Sequence, residues 1–197
     1  MEPKQSQQFQ QKKRRENRTQ SIYSRCLITR KIVLPITTLG KNLKETIEEN
    51  VKFNFEGKCA VEGYIKIGST QIITHSSGVI VRGNSISFEV VFECDICFPV
   101  EGMLVSCVAK NITKAGIRAE SATDIPSPII VFIAKDHHYN SLLFSEVQEG
   151  DKIKVRIIGQ RFELNDKYIS IIGEIIKEKD VNTQYKQPAK PRIVIED

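Results

Sequence analysis

Residues 88–102 read FEVVFECDICFPVEG. Phe88, Val90, Phe92 and Cys94 alternate with positions that include Glu89, Glu93 and Asp95. A two-residue period of this kind belongs to a strand with one face buried. Pro99 then removes a backbone donor and Gly102 frees the backbone, and a second apolar run begins at Met103. The segment ends one folding unit and hands the chain to the next, which predicts two small domains in 197 residues.

Before this segment, residues 26–36 read as a first strand closed by Pro35. Thr37 or Thr38 caps a predicted helix running to about residue 50, with Leu39, Leu43 and Ile47 as its buried stripe. A strand starting near Lys58 continues through residues 64–67, and Gly68-Ser69-Thr70 forms a turn. Short strands follow over residues 71–74 and 79–82, separated by Ser76-Ser77-Gly78 and closed by a Gly83-Asn84 turn. Residues 25–101 are therefore expected to form an α+β domain, an antiparallel sheet with one helix.

Residues 1–24 read as a disordered basic arm. The first twenty residues hold no aliphatic side chain beyond Met1, so they bury too little apolar surface to fold alone. Lys12-Lys13-Arg14-Arg15 suits nuclear import or nucleic-acid contact. Residues 1–31 carry a net +7 against +5 for the whole chain, which leaves residues 32–197 at −2. The excess of positive charge thus belongs to the arm.

After the segment, residues 102–178 read as all-β. Strand-like runs cover 103–110, 116–120, 129–135, 152–160 and 168–176. A polar loop occupies 121–128, and a linker with a short helical turn carries His137-His138, which read as loop histidines. Five short strands with a break after the third match a Greek-key OB barrel. Residues 179–197 form a polar tail.

No glycine-rich phosphate loop and no nucleophilic-serine elbow occurs, so nothing points to catalysis. No apolar run approaches the roughly 20 residues of a membrane span. The five cysteines are odd in number and mostly strand-borne, which suits reduced thiols inside a cell. Cys94 and Cys97 lack the second pair that a zinc site usually needs, and three residues along a strand place them on opposite faces. They read as structural thiols, and no metal or cofactor is expected. An OB barrel suits single-stranded nucleic acid, with basic side chains along the backbone and aromatics under the bases. The candidates are Lys110, Lys114, Arg118, Phe132, Lys135, Arg156, Arg161 and Tyr168. Residues 102–178 hold ten Lys/Arg and ten Asp/Glu, so such binding should be modest and salt-sensitive.

Three blocks carry a resemblance: Gly57-Lys58-Cys59 followed by Gly63-Tyr64-Ile65, Gly78-Val79-Ile80 followed by Gly83, and Phe88-x-Val90-x-Phe92 followed by Pro99-x-x-Gly102. In this order, ahead of an OB barrel, they resemble the stalk subunit of DNA-directed RNA polymerase. This is the seventh-subunit family of polymerase II and its archaeal relatives. The resemblance implies a tip domain that docks on the polymerase core through Gly78, Val79 and Ile80, with Gly63 and Tyr64. It also implies an OB domain of the ribosomal-protein-S-one type that meets nascent single-stranded RNA, a smaller stalk partner subunit, no catalysis and no membrane. The chain departs from the family at its basic arm, at Ile117, where RNA-binding relatives often carry an aromatic, and at Ala134, where many carry His. Such divergence, with an Ile- and Lys-rich composition, suits a large DNA virus. The expected location is the nucleus for a cellular polymerase, and the host cytoplasm and virion for a viral one. The competing readings are a free-standing OB-fold RNA-binding protein and a metal or redox protein using Cys94 and Cys97.

Overall fold

The computed structural model describes residues 21–40, 42–81, 83–138 and 142–176. The expected tail over 179–197 and the expected 1–24 arm up to residue 20 lie outside these, but the last two arm residues are not disordered: Tyr23 and Ser24 open the first strand, opposite Cys97 and Ile96. The chain forms two compact units. One comprises residues up to Pro99 with Phe162–Ile169, the other Val100–Arg161 with the chain from Ser170 onward.

The first unit is an antiparallel sheet with one long helix. Its strands are β1 (Tyr23–Pro35), β2 (Cys59–Ala60), β3 (Gly63–Ile65), β4 (Gln71–His75), β5 (Val79–Val81) and β6 (Ser85–Cys97). The alternating segment lies in β6, which organises the sheet. β1 pairs with all thirteen of its residues along one edge. Along the other edge β5, β4 and β3 pair with it in succession. Phe88, Val90, Phe92 and Cys94 are buried, as the alternation requires, and pack with Ile28, Ile32 and Leu34 of β1.

The helix α1 spans Leu43–Phe55, later at both ends than the predicted one. Ile36–Thr38 is instead a 3-10 turn, in which the Thr38 hydroxyl donates to the Pro35 carbonyl at 2.7 Å. Gly40 would weaken a helix interior, and the helix starts beyond it, after Asn42. The Asn42 amide donates to the Glu45 carboxylate at 2.8 Å across the first turn. The four-residue stripe then runs on through Leu43, Ile47, Val51 and Phe55. Ile47 and Val51 are fully buried, and the Phe55 ring lies 5.7 Å from that of Phe92. Just past the helix, Glu56 accepts from the backbone N–H groups of Gly68 (2.8 Å) and Thr70 (3.2 Å), and from the Thr70 hydroxyl. These bonds tie down the 66–70 turn. The segment 162–169 joins this unit through paired backbone bonds. Cys59 N–H donates to Asp166 O at 2.8 Å, and Asn165 N–H donates to Cys59 O at 2.9 Å.

The second unit is a closed five-stranded barrel, consistent with the OB-like barrel expected. β7 (Leu104–Ile112), β8 (Gly116–Ser121), β9 (Ile129–Ala134), β10 (Lys152–Arg161) and β11 (Ile169–Ile175) close in the order β10-β11-β9-β8-β7. Alternate residues fill the interior, among them Cys107, Ala109, Ile117, Ala119, Val131, Ile133, Val155 and Ile171. A 3-10 turn (Lys135–His138) and a short helix α2 (Leu142–Glu146) link β9 to β10. His138 is not the loop histidine expected. It is buried against the Phe144 ring, with centroids 5.4 Å apart. Ile175 N–H donates to its Nε2 at 3.1 Å, and its Nδ1–H donates to Ala134 O at 3.0 Å. One ring thus satisfies backbone groups at the end of β9 and on β11. Among the described residues, no helix is long and apolar enough to cross a membrane.

Candidate functional site

Gly78, Val79 and Ile80 lie at the start of β5, which among the described residues pairs with β6 alone. Val79 opposes Ser87 and Ile80 opposes Ile86, so the two side chains point to opposite faces. Both are largely exposed, Val79 at 63% and Ile80 at 75%. Val33 of β1 also opposes Ser87 from the other side and is half exposed. Val33 and Val79 therefore flank buried Ser87 on the outer face. Val33 was not foreseen. Its signal was an apolar residue at an outward position of β1, between Lys31 and Pro35. Gly78 is required by close packing: a Cβ there would lie 2.6 Å from Ile86 Cγ2 and 2.9 Å from the Phe88 ring.

Gly63 and Tyr64 do not join this surface. Tyr64 is 2% exposed, so its side chain offers nothing to a partner. Gly63 has φ +128°, and a Cβ on it would lie 2.5 Å from the Cys97 carbonyl oxygen. Both residues serve the crossing of β3 with β6.

Cys94 and Cys97 fall on opposite faces of β6, Cys94 opposing Cys26 and Cys97 opposing both Tyr23 and Tyr64. Burial pushes the Cys94 thiol up to about 12, against reactivity at neutral pH. Among the described residues, no three His, Cys, Asp or Glu side chains gather as metal ligands. Arg30 donates to the Glu62 carboxylate at 2.5 Å beside an open cavity of about 490 Å³. Burial raises the Glu62 pKa, but the Arg30 hydrogen bond, the Glu62 backbone N–H and the Arg30 charge together outweigh it. The carboxyl is held below its ordinary value of 4.5.

On the barrel, the register brings Arg118 beside Phe132, and Asn111 beside Arg118, in one row across β7, β8 and β9. Asn111 is an addition; a bulge between Ala109 and Asn111 turns it into the row. Phe132 is 40% exposed, and its ring lies over Gly116, where a Cβ would approach within 2.9 Å. Lys110, Lys114 and Lys135 are exposed, and Lys135 N–H donates to Ala115 O, which brings Lys114 and Lys135 to the same end of the strands. Arg156 and Arg161 lie elsewhere, on β10, and Tyr168 lies in the segment that belongs to the first unit. The eight candidates therefore do not form one row. Part of the positive charge is neutralised locally: Arg118 sits 3.2 Å from Glu120, and Arg156 Nε 3.0 Å from Glu174, the latter without hydrogen-bond geometry.

No protein-family model matches the chain. Curated relatives do. A protein of Acanthamoeba polyphaga mimivirus, named as a DNA-directed RNA polymerase subunit, is 26% identical over 172 residues, covering 80% of this chain and 83% of the relative. Subunit 7 of RNA polymerase II from Arabidopsis thaliana is 21% identical over 177 residues, covering 78% and 98%. The Glycine max counterpart is 21% identical over 169 residues, covering 78% and 92%. These relatives bear out the resemblance to the seventh-subunit family, with a viral polymerase subunit among the proteins the chain is similar to.

Proposed function

We propose that the protein is a non-catalytic stalk subunit of a multisubunit DNA-directed RNA polymerase. The observation that carries this reading is similarity to polymerase subunits over about four-fifths of the chain and most of each relative. The first unit is the tip that docks on the core, and the barrel, of the ribosomal-protein-S-one type, meets nascent single-stranded RNA. A smaller partner subunit completes the stalk. The protein works wherever its polymerase does, in the nucleus or, for a viral enzyme, in the host cytoplasm and virion.

Geometry supports docking through β5. Two exposed β-branched side chains on opposite faces of a three-residue edge strand are buried together only in a cleft that grips both faces. The row Asn111, Arg118 and Phe132 supports RNA contact, since a half-exposed ring beside a guanidinium is a stacking platform with a phosphate partner. Affinity capture of the full chain from its native cells, followed by mass spectrometry, tests the reading. Core polymerase subunits should be recovered in stoichiometric amounts. Recovery of RNA without them would favour a free-standing RNA-binding protein.

A further inference from the structure

Cys26 and Cys94 are directly opposed in the β1–β6 ladder. Opposed residues of an antiparallel ladder share a face, with Cα atoms about 4.5–5.5 Å apart. A disulfide spans Cα separations of about 4.4–6.8 Å. Both thiols are free. The remaining cysteines have other cross-strand partners: Cys97 opposes Tyr23 and Tyr64, Cys59 opposes Tyr64, and Cys107 opposes Ile153 and Ser121. Exposure divides the opposed pair. Cys26 is open to solvent, whereas Cys94 is fully buried in the core. A reagent in solution thus meets Cys26, and Cys94 is reached through it.

We propose that Cys26 and Cys94 form a reversible redox site, converted by a small-molecule disulfide such as oxidised glutathione into a covalent staple between β1 and β6. The Cys26 thiolate attacks one sulfur of the small disulfide, forming a mixed disulfide and releasing one glutathione thiolate. Cys94 then attacks the Cys26 sulfur, and the second glutathione leaves with the Cys94 proton as a thiol. Two protein thiols are oxidised and one small disulfide is reduced to two thiols. The high pKa of Cys94 makes the second step slow, so the mixed disulfide precedes the staple. Among the described residues β1 pairs with β6 alone, so the link is a covalent tie across the ladder that holds this strand. The inference stands independently of the polymerase reading.

The test is incubation of the full chain with oxidised glutathione, acid quenching, alkylation of the remaining thiols and peptide mapping without reduction. The expected product joins the Cys26 and Cys94 peptides and retains no glutathione. Reductant reverses it. Cys97→Ser leaves the product unchanged, and Cys26→Ser, a substitution at an exposed site, abolishes it and leaves Cys94 unmodified. A lasting glutathione adduct on Cys26 with Cys94 still free to alkylate after unfolding would overturn the proposal. So would a link to a different cysteine, or the absence of any oxidation at Cys26.

Discussion

Replacing Val79 with Asp and Ile80 with Ser should detach the protein from its polymerase while leaving it folded. Complete burial of such side chains is worth about 1.5–3 kcal/mol each. Val79 is 63% and Ile80 75% exposed in the free chain, so that share remains to be gained on docking. Together this comes to about 2–4 kcal/mol, or roughly 30- to 700-fold in affinity at about 1.4 kcal/mol per tenfold. The part already buried sets the cost to folding, about 1–2 kcal/mol, which a typical domain tolerates. The assay is equilibrium binding of the variant to core polymerase stripped of this subunit, with circular dichroism to monitor the fold. A folded variant that binds as tightly as the wild type would refute the reasoning, because no edge-gripping cleft could then be involved.

Arg118→Ala with Phe132→Ala should weaken single-stranded RNA binding by about five- to a hundredfold, the range for losing a stacked base, and should flatten its salt dependence; filter binding at several salt concentrations reads both. Gly63→Ala should cost about 2–5 kcal/mol, combining the left-handed backbone with collision against the Cys97 carbonyl, and denaturant unfolding measures it. Glu62→Gln removes a carboxylate whose folded pKa is depressed. Its contribution is present above the ordinary value of 4.5 and lost as pH falls through the lower folded value. The variant should therefore be less stable at pH 7 by no more than about 1 kcal/mol, given the partly exposed pair, and should match the wild type in strong acid.

The parts of the fold legible in the sequence were those with a strict period. The two-residue alternation of Phe88, Val90, Phe92 and Cys94 identified the strand on which the first sheet is built, and short strand-like runs between turn residues marked the five barrel strands, with clear alternation at Ile153, Val155 and Ile157. Periodicity does not fix helix ends. The stripe through Leu39 looked like a first turn, but Gly40 and the Asn42–Glu45 bond moved the start to Leu43. Contacts between residues distant in sequence left no local signal. His138 is structural because Ile175 N–H points at it, and Cys59 is tied to Asn165 and Asp166 by backbone groups that carry no side-chain signature. For the candidate site, Val79 and Ile80 were visible as apolar residues beside flexible ones. Tyr64 looked equally available, and only its burial removes it.

Co-sedimentation with promoter-independent RNA synthesis tests the central claim most directly. Polymerase purified from the native source is fractionated on a gradient, and each fraction is assayed for RNA synthesis and for this chain by quantitative mass spectrometry. The account predicts that the chain peaks with activity at about one copy per largest subunit. A chain that sediments apart from an active polymerase, with none retained in the active fractions, would contradict it.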